Sequence, residues 1–115
     1  MHGIPENFPF HKLVGAMLTQ VCTGQHQLQL HFDGAQSISI ESALRINDRG
    51  DRIEDFAEVS TSVYGLLGDS ILEASAPDKR TLRLVFAKRV LEIFDDSDQY
   101  EAFQIGFPDE GLFII

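Results

Sequence analysis

The stretch 28–40, LQLHFDGAQSISI, decides the fold class. Leu28, Leu30 and Phe32 alternate with Gln29 and His31, and Gln27 precedes them in phase. A strand with this alternation puts its apolar side chains on one face and its polar ones on the other. Asp33 and Gly34 then break the pattern, and the pair is expected to supply the positive φ of a tight hairpin turn. Ile38 and Ile40 resume the apolar face, with Ser37, Ser39 and Glu41 outside. The spacing predicts half-buried antiparallel strands whose polar side meets water.

A second stretch reads the same way. Leu82, Leu84 and Phe86 alternate, a short turn follows, and another alternating strand runs through Leu91 and Ile93. Upstream, Leu13-Val14-Gly15 matches Leu66-Leu67-Gly68, and each triplet leads into a mostly apolar run, Met17 to Val21 or Ile71 to Ala74. A polar turn comes next in both, Thr23-Gly24-Gln25 or Ala76-Pro77-Asp78-Lys79. The likeness is one of pattern, with few identities, and it predicts an internal duplication with halves 13–46 and 66–105. Each half is expected to be a meander of about three strands, followed in the second by a strand over 100–105. The first half is polar outside. The second carries Val85, Ala87, Phe94 and Ala102 opposite its inward residues, so it wants cover on both faces.

The connection, about 51–65, could supply that cover. Asp51 stands three residues before Glu54 in a helix N-cap arrangement. Ile53, Phe56, Ala57, Val63, Tyr64 and Leu67 fall near one helical stripe, and Gly65 loosens the end, so a helix is predicted over about 52–64. A shorter helical turn is predicted at Pro9, and the apolar Gly111–Ile115 is predicted to be a final strand. The fold class is α+β, mainly antiparallel β, in a single domain 1–115 with one inserted helix. One continuous sheet, a sandwich and a half-open barrel all satisfy the pattern.

Composition narrows the function. At 115 residues, 43% hydrophobic and 23% charged, the chain can bury one core, which excludes wholesale disorder. Its apolar runs are too short for a membrane helix. The single cysteine, Cys22, cannot form an internal disulfide, and Met1 to Asn7 lacks a signal-peptide pattern. A cytoplasmic protein with no membrane partner is expected. The net charge of −9 would repel phosphates, which argues against a nucleic-acid partner.

No catalytic constellation is legible. His2, His11, His26 and His31 have no metal-ligand spacing and read as surface or loop residues. Cys22 follows an apolar run and reads as a buried structural thiol. Gly65 to Gly68 lacks the Lys and Ser/Thr of a phosphate loop. The chain is therefore expected not to be an enzyme, with no cofactor and no metal.

Charge layout is the informative feature. Five of the nine basic residues are Lys79, Arg80, Arg83, Lys88 and Arg89. Beyond Arg89 there is no Lys or Arg, whereas Glu92, Asp95, Asp96, Asp98, Glu101, Asp109 and Glu110 follow. The Asp95-Asp96-Ser97-Asp98 run admits three readings: a solvated turn, a calcium loop without the glycine and distant glutamate of an EF-hand, and an acidic docking surface for a basic partner. On the third, the partner-binding residues are Asp95, Asp96, Asp98, Tyr100 and Glu101.

The alternating Leu82–Phe86 strand, its turn, and the stretch 95–105, DDSDQYEAFQI, are similar to a group of small, acidic, β-rich bacterial proteins. Some of these resemble immunity proteins of toxin–immunity systems, including contact-dependent growth inhibition. The likeness covers mainly residues 66–105, with an echo in 13–40. It implies a cytoplasmic inhibitor that binds a cognate toxin domain and blocks its active site or a nearby surface. A cationic toxin, such as a nuclease with a basic cleft, is the implied partner. The alternative is a structural or homo-oligomeric domain, suggested by the apolar outer face of the second meander.

Overall fold

The two alternating stretches fold as two meanders, each in its own sheet. The computed structural model describes residues 3–46, 62–95, 102–109 and 111–115. In chain order the strands are β1 (Leu18–Thr23), β2 (Leu28–Phe32), β3 (Ser37–Ile40), β4 (Leu44–Ile46), β5 (Glu73–Asp78), β6 (Thr81–Val85), β7 (Val90–Phe94), β8 (Phe103–Phe107) and β9 (Gly111–Ile114). One sheet has the order β1-β2-β3-β8-β9 and the other β4-β7-β6-β5. Every neighbouring pair is antiparallel. The architecture is thus mostly antiparallel β, in two sheets around one core.

Alternation sets that core. Leu28, Leu30, Phe32, Ile38 and Ile40 point inward from the first sheet, and Leu82, Leu84, Leu91 and Ile93 from the second. They join Leu18, Leu44, Phe103 and Ile105 in one buried cluster. Burying each such side chain is worth about 1.5–3 kcal/mol, which is the drive that brings the sheets together.

The β2–β3 turn differs from expectation. Its positive φ of 66° is at Ala35, not in the Asp33-Gly34 pair. The Ala35 N–H donates to the Phe32 carbonyl at 3.1 Å, and the Phe32 N–H donates to the Gln36 carbonyl at 3.0 Å. This is a three-residue hairpin loop, in which the residue after the turn takes the left-handed conformation.

The halves meet along a reciprocal backbone seam. The Gly15 N–H donates to Ile71 O at 2.7 Å, and the Gly68 N–H to Leu18 O at 2.9 Å. The Leu18 N–H donates to Asp69 O at 3.0 Å, and the Ile71 N–H to Ala16 O at 2.9 Å. Met17 and Ser70 face each other as an isolated antiparallel bridge at the centre. Gly15 and Gly68 have φ of 89° and 88°. The correspondence continues beyond the seam. After β3 the chain crosses into the other sheet as β4; after β7 it crosses back as β8. Both crossings are pinned alike, with the Glu41 N–H on Ala102 O at 2.9 Å and the Phe94 N–H on Ala43 O at 3.0 Å. Each meander therefore gains its fourth strand from the other half.

Three expectations for the second half change. Most of the helix predicted over 52–64 lies outside the described residues, within which Ser62–Tyr64 forms a helical turn. The strand predicted over 100–105 is β8, Phe103–Phe107, with 100 and 101 outside the described residues. Of the predicted outer apolar residues, Val85 is half-buried and Phe94 buried, but Ala87 is exposed in a turn and Ala102 is buried ahead of β8 in the other sheet.

The segment preceding β1 straps the two sheets together. The Ile4 N–H donates to Lys79 O at 2.7 Å, beside β6. Pro9 precedes a 3-10 turn, Phe10–Lys12, as its position in the sequence suggested. Phe8 packs on Phe10, Phe107 and Phe113 with ring centroids 4.8, 5.8 and 5.1 Å away, which holds the strap to β8 and β9. Lys12 Nζ lies 2.6 Å from Asp109 Oδ2. Gly111–Ile114 forms the expected last strand, with Ile115 buried. No helix among the described residues is long and apolar enough to cross a membrane.

Two predictions follow from this geometry. A Cβ added at Gly15 or Gly68 meets nothing within 4 Å, so alanine there is opposed by the left-handed backbone alone. Gly15→Ala and Gly68→Ala should each lower the unfolding free energy by about 1–2 kcal/mol in urea titrations, with similar values for the two. The Lys12 ammonium holds the Asp109 carboxyl below the ordinary carboxylate range. Stability from this exposed pair is present above that range and fades as acid protonates Asp109. A carbon-13 NMR titration should show the low Asp109 pKa returning to the ordinary range in Lys12→Met.

Candidate functional site

The acidic run begins where β7 ends. Asp95 is buried, 1% exposed. Its Oδ2 accepts the Gly3 N–H at 3.2 Å, and its own N–H donates to Arg80 O at 2.7 Å. Arg80 also reaches back, with Nη1 3.4 Å from Asp95 O. The carboxylate closest to β7 therefore ties down the strap and presents no charge outward. Asp96, Asp98, Tyr100 and Glu101 lie outside the described residues. The far end of the run is fixed at Ala102, which is buried and donates its N–H to Ile115 O at 2.8 Å. Glu41, exposed, stands beside Ala102 through its own backbone bond. Asp95 and Ala102, the described residues on either side of the run, are thus both buried and hydrogen-bonded.

The other singled-out residues fall in separate places. His11 and His26 are exposed; His31 is half-buried on β2, its Nε2 3.4 Å from Gln29 Oε1. His2 lies outside the described residues. Cys22, expected to be buried, is half-exposed. The cause is a register shift between Leu18 and Gln20 in β1, which puts Val21 opposite the inward Leu30 and turns Cys22 outward with Gln29. Among the described residues no group of three or more His, Cys, Asp or Glu is placed to hold a metal ion.

The outer faces of the two sheets offer the clearest contrast. In the four-stranded sheet one row across the strands reads Ser75, Arg83, Glu92, Arg45. Glu92 is buried, and its Oε1 accepts Arg45 Nε at 3.0 Å and Nη2 at 2.5 Å. The Arg45 guanidinium also lies 5.4 Å from the centre of the Phe94 ring. The structurally matching row of the five-stranded sheet reads Cys22, Gln29, Ser39, Gln104, Ile114. A second row reads Gln20, His31, Ser37, Gly106, Leu112. Neither row contains Asp, Glu, Lys or Arg. Where one sheet has an ion-paired ladder, the other has a neutral plain.

An open groove of about 590 Å³ runs beside β5, lined by Val14, Leu72, Ala74, Pro77, Arg83 and Val85 among others. Leu72 is 55% exposed there. Sequence reading did not flag the groove, because Val14 and Leu72 are far apart in the chain. Nor did it flag Arg45, whose partner Glu92 is matched to it only by strand exchange. The uncharged plain, by contrast, was half visible in the alternating Gln and Ser of β2 and β3.

Residues 10–115 match a family of unknown function, DUF6188. The chain belongs to the DUF6188 family. No curated protein and no solved structure matches it. The matched span takes in both sheets and stops short only of the first part of the strap, so the DUF6188 domain includes the seam, both outer faces and the acidic run.

The buried ion pair generates a prediction. Glu92→Gln leaves the Arg45 guanidinium beside a neutral amide and should destabilise the fold by about 2 kcal/mol in chemical denaturation. Ser39→Ala, at the matching position of the neutral face, should change stability by less than about 0.5 kcal/mol.

Proposed function

We propose that this DUF6188 protein is a non-enzymatic bacterial immunity protein, which binds and neutralises a cognate cationic toxin in the cytoplasm through an acidic surface. The observation that carries the reading is the charge partition: past Arg89 the chain has seven acidic residues and no basic one. The described residues that flank the acidic run, Asp95 and Ala102, are buried, and Glu41, bonded to Ala102, is exposed. A concentration of acidic charge speeds encounter with a basic partner. The resemblance of residues 66–105 to small, acidic, β-rich bacterial proteins, some of them like immunity proteins, points to the same class.

The two halves are read as products of an internal duplication. The reciprocal bonds at Gly15 and Gly68, and at Glu41 and Phe94, support that origin. Divergence after such an event accounts for the charged row on one sheet and the neutral row on the other.

Co-expression tests the function. The C-terminal domain encoded by the adjacent upstream gene is expressed with and without this chain. The expected result is growth arrest relieved by this chain, with the two proteins purifying as a complex. The triple reversal Asp96→Lys, Asp98→Lys, Glu101→Lys should then lower affinity at least tenfold, mainly through the association rate, and flatten its salt dependence. Unchanged affinity and protection in a folded triple variant would remove the acidic-surface reading.

A further inference from the structure

The groove beside β5 is built by the seam. Gly15 turns the chain at a φ of 89°, and its N–H donates to Ile71 O at 2.7 Å. That bond brings Val14 to the same groove as Leu72. The Leu72 N–H in turn donates to Val85 O at 2.7 Å. Three distant parts of the chain thus supply the apolar walls of an open groove of about 590 Å³. Val14 and Leu72 are 47% and 55% exposed there.

Cations stand in and beside this groove. Arg83 lines it, and among the described residues Glu73 is the one carboxylate that does. Past Val85 the chain enters a tight turn, closed by the Phe86 N–H on Arg89 O at 2.8 Å. The turn carries Lys88, exposed, and Arg89, half-buried, whose Nη1 lies 2.6 Å from Ser62 O. The other half shows that the fold does not require such a groove. In register, Leu72, Glu73, Arg83 and Val85 correspond to Thr19, Gln20, Gln29 and His31. There the Thr19 hydroxyl donates to His31 O at 3.1 Å, where Leu72 uses its backbone N–H on Val85 O. One backbone frame carries a polar surface without Asp, Glu, Lys or Arg in the first half, and apolar walls with cations in the second.

We propose that this groove docks a short acidic segment of another protein. An aliphatic or aromatic side chain of the segment sits between Val14, Leu72 and Val85, and its carboxylates face Arg83, Lys88 and Arg89. Charge complementarity selects the occupant. A nucleic acid or an anionic bilayer is a long polyanion that meets the whole molecule, and the net charge of −9 repels it. A short segment is governed by charges within a Debye length, about 8 Å at physiological ionic strength. Beside this groove those charges include three of the nine basic residues of the chain. The apolar walls then favour a segment with an apolar anchor over one that is acidic alone. The docking is independent of the immunity reading.

Titration of the nitrogen-15 labelled full chain with a short peptide of alternating Glu and Leu tests it by NMR. The expected result is saturable shifts of the Leu72, Arg83 and Val85 amides, while the matching Thr19, Gln29 and His31 amides stay still. Leu72→Ser and Lys88→Glu, both at exposed positions, should keep the dispersed spectrum and each raise the dissociation constant at least about fivefold. A peptide of alternating Glu and Ser, and one of alternating Lys and Leu, should each bind at least about tenfold more weakly. No shift at the three amides, equal binding of either control peptide, or binding indifferent to both variants would overturn the proposal. Phosphatidylglycerol vesicles that move those amides where the Glu and Leu peptide does not would also overturn it, assigning the groove to a membrane.

Discussion

Four backbone hydrogen bonds around Met17 and Ser70 join the starts of the two halves, and the rest of the structure depends on them. At this seam Leu13-Val14-Gly15 and Leu66-Leu67-Gly68 perform the same task. Each glycine turns the chain through a left-handed conformation and donates to the strand start of the opposite half. The seam brings the starts of both meanders together, and their apolar faces then close on one core. It also makes the exchange of β4 and β8 possible, because each meander ends beside the other's sheet. Neither half carries its own fourth strand, so neither is a complete sheet alone.

That arrangement frees the outer faces to differ. Gln29, Ser39 and Gln104 occupy the lattice positions that Arg83, Glu92 and Arg45 occupy in the other sheet. The backbone environment is matched, so the difference does not come from the fold's needs. The ladder around Glu92 is a buried, paired charge, a structural use of ionic side chains. In the neutral plain, His31 Nε2 and Gln29 Oε1 stand 3.4 Å apart. In a chain with 18 acidic residues, two full rows of one outer face carry none of them.

The core was legible because period-two alternation is a local signal. Leu28 through Ile40 and Leu82 through Ile93 could be assigned to inward faces without knowing what they packed against. The matched Leu-x-Gly triplets were legible too, as sequence likeness, but their meaning was not. Nothing in one sequence says that Gly15 bonds across to Ile71. Local irregularities escaped for the same reason. The extra residue at Thr19 reverses the phase of β1 and brings Cys22 out, and Ala35 takes the left-handed turn position beside a glycine better suited to it. The candidate site was read from charge alone. Charge density located the acidic run, but Asp95 was assigned outward because its buried contact, the Gly3 N–H, comes from the opposite end of the chain.

Amide hydrogen exchange at the seam tests the account's central claim most directly. The Gly15, Leu18, Gly68 and Ile71 amides should be among the slowest in the chain and exchange together, at the free energy of global unfolding. If they exchange through local opening while the β2 and β6 amides stay protected, the halves are held by the β3–β8 and β4–β7 ladders and the shared core, and the seam is not the organising contact.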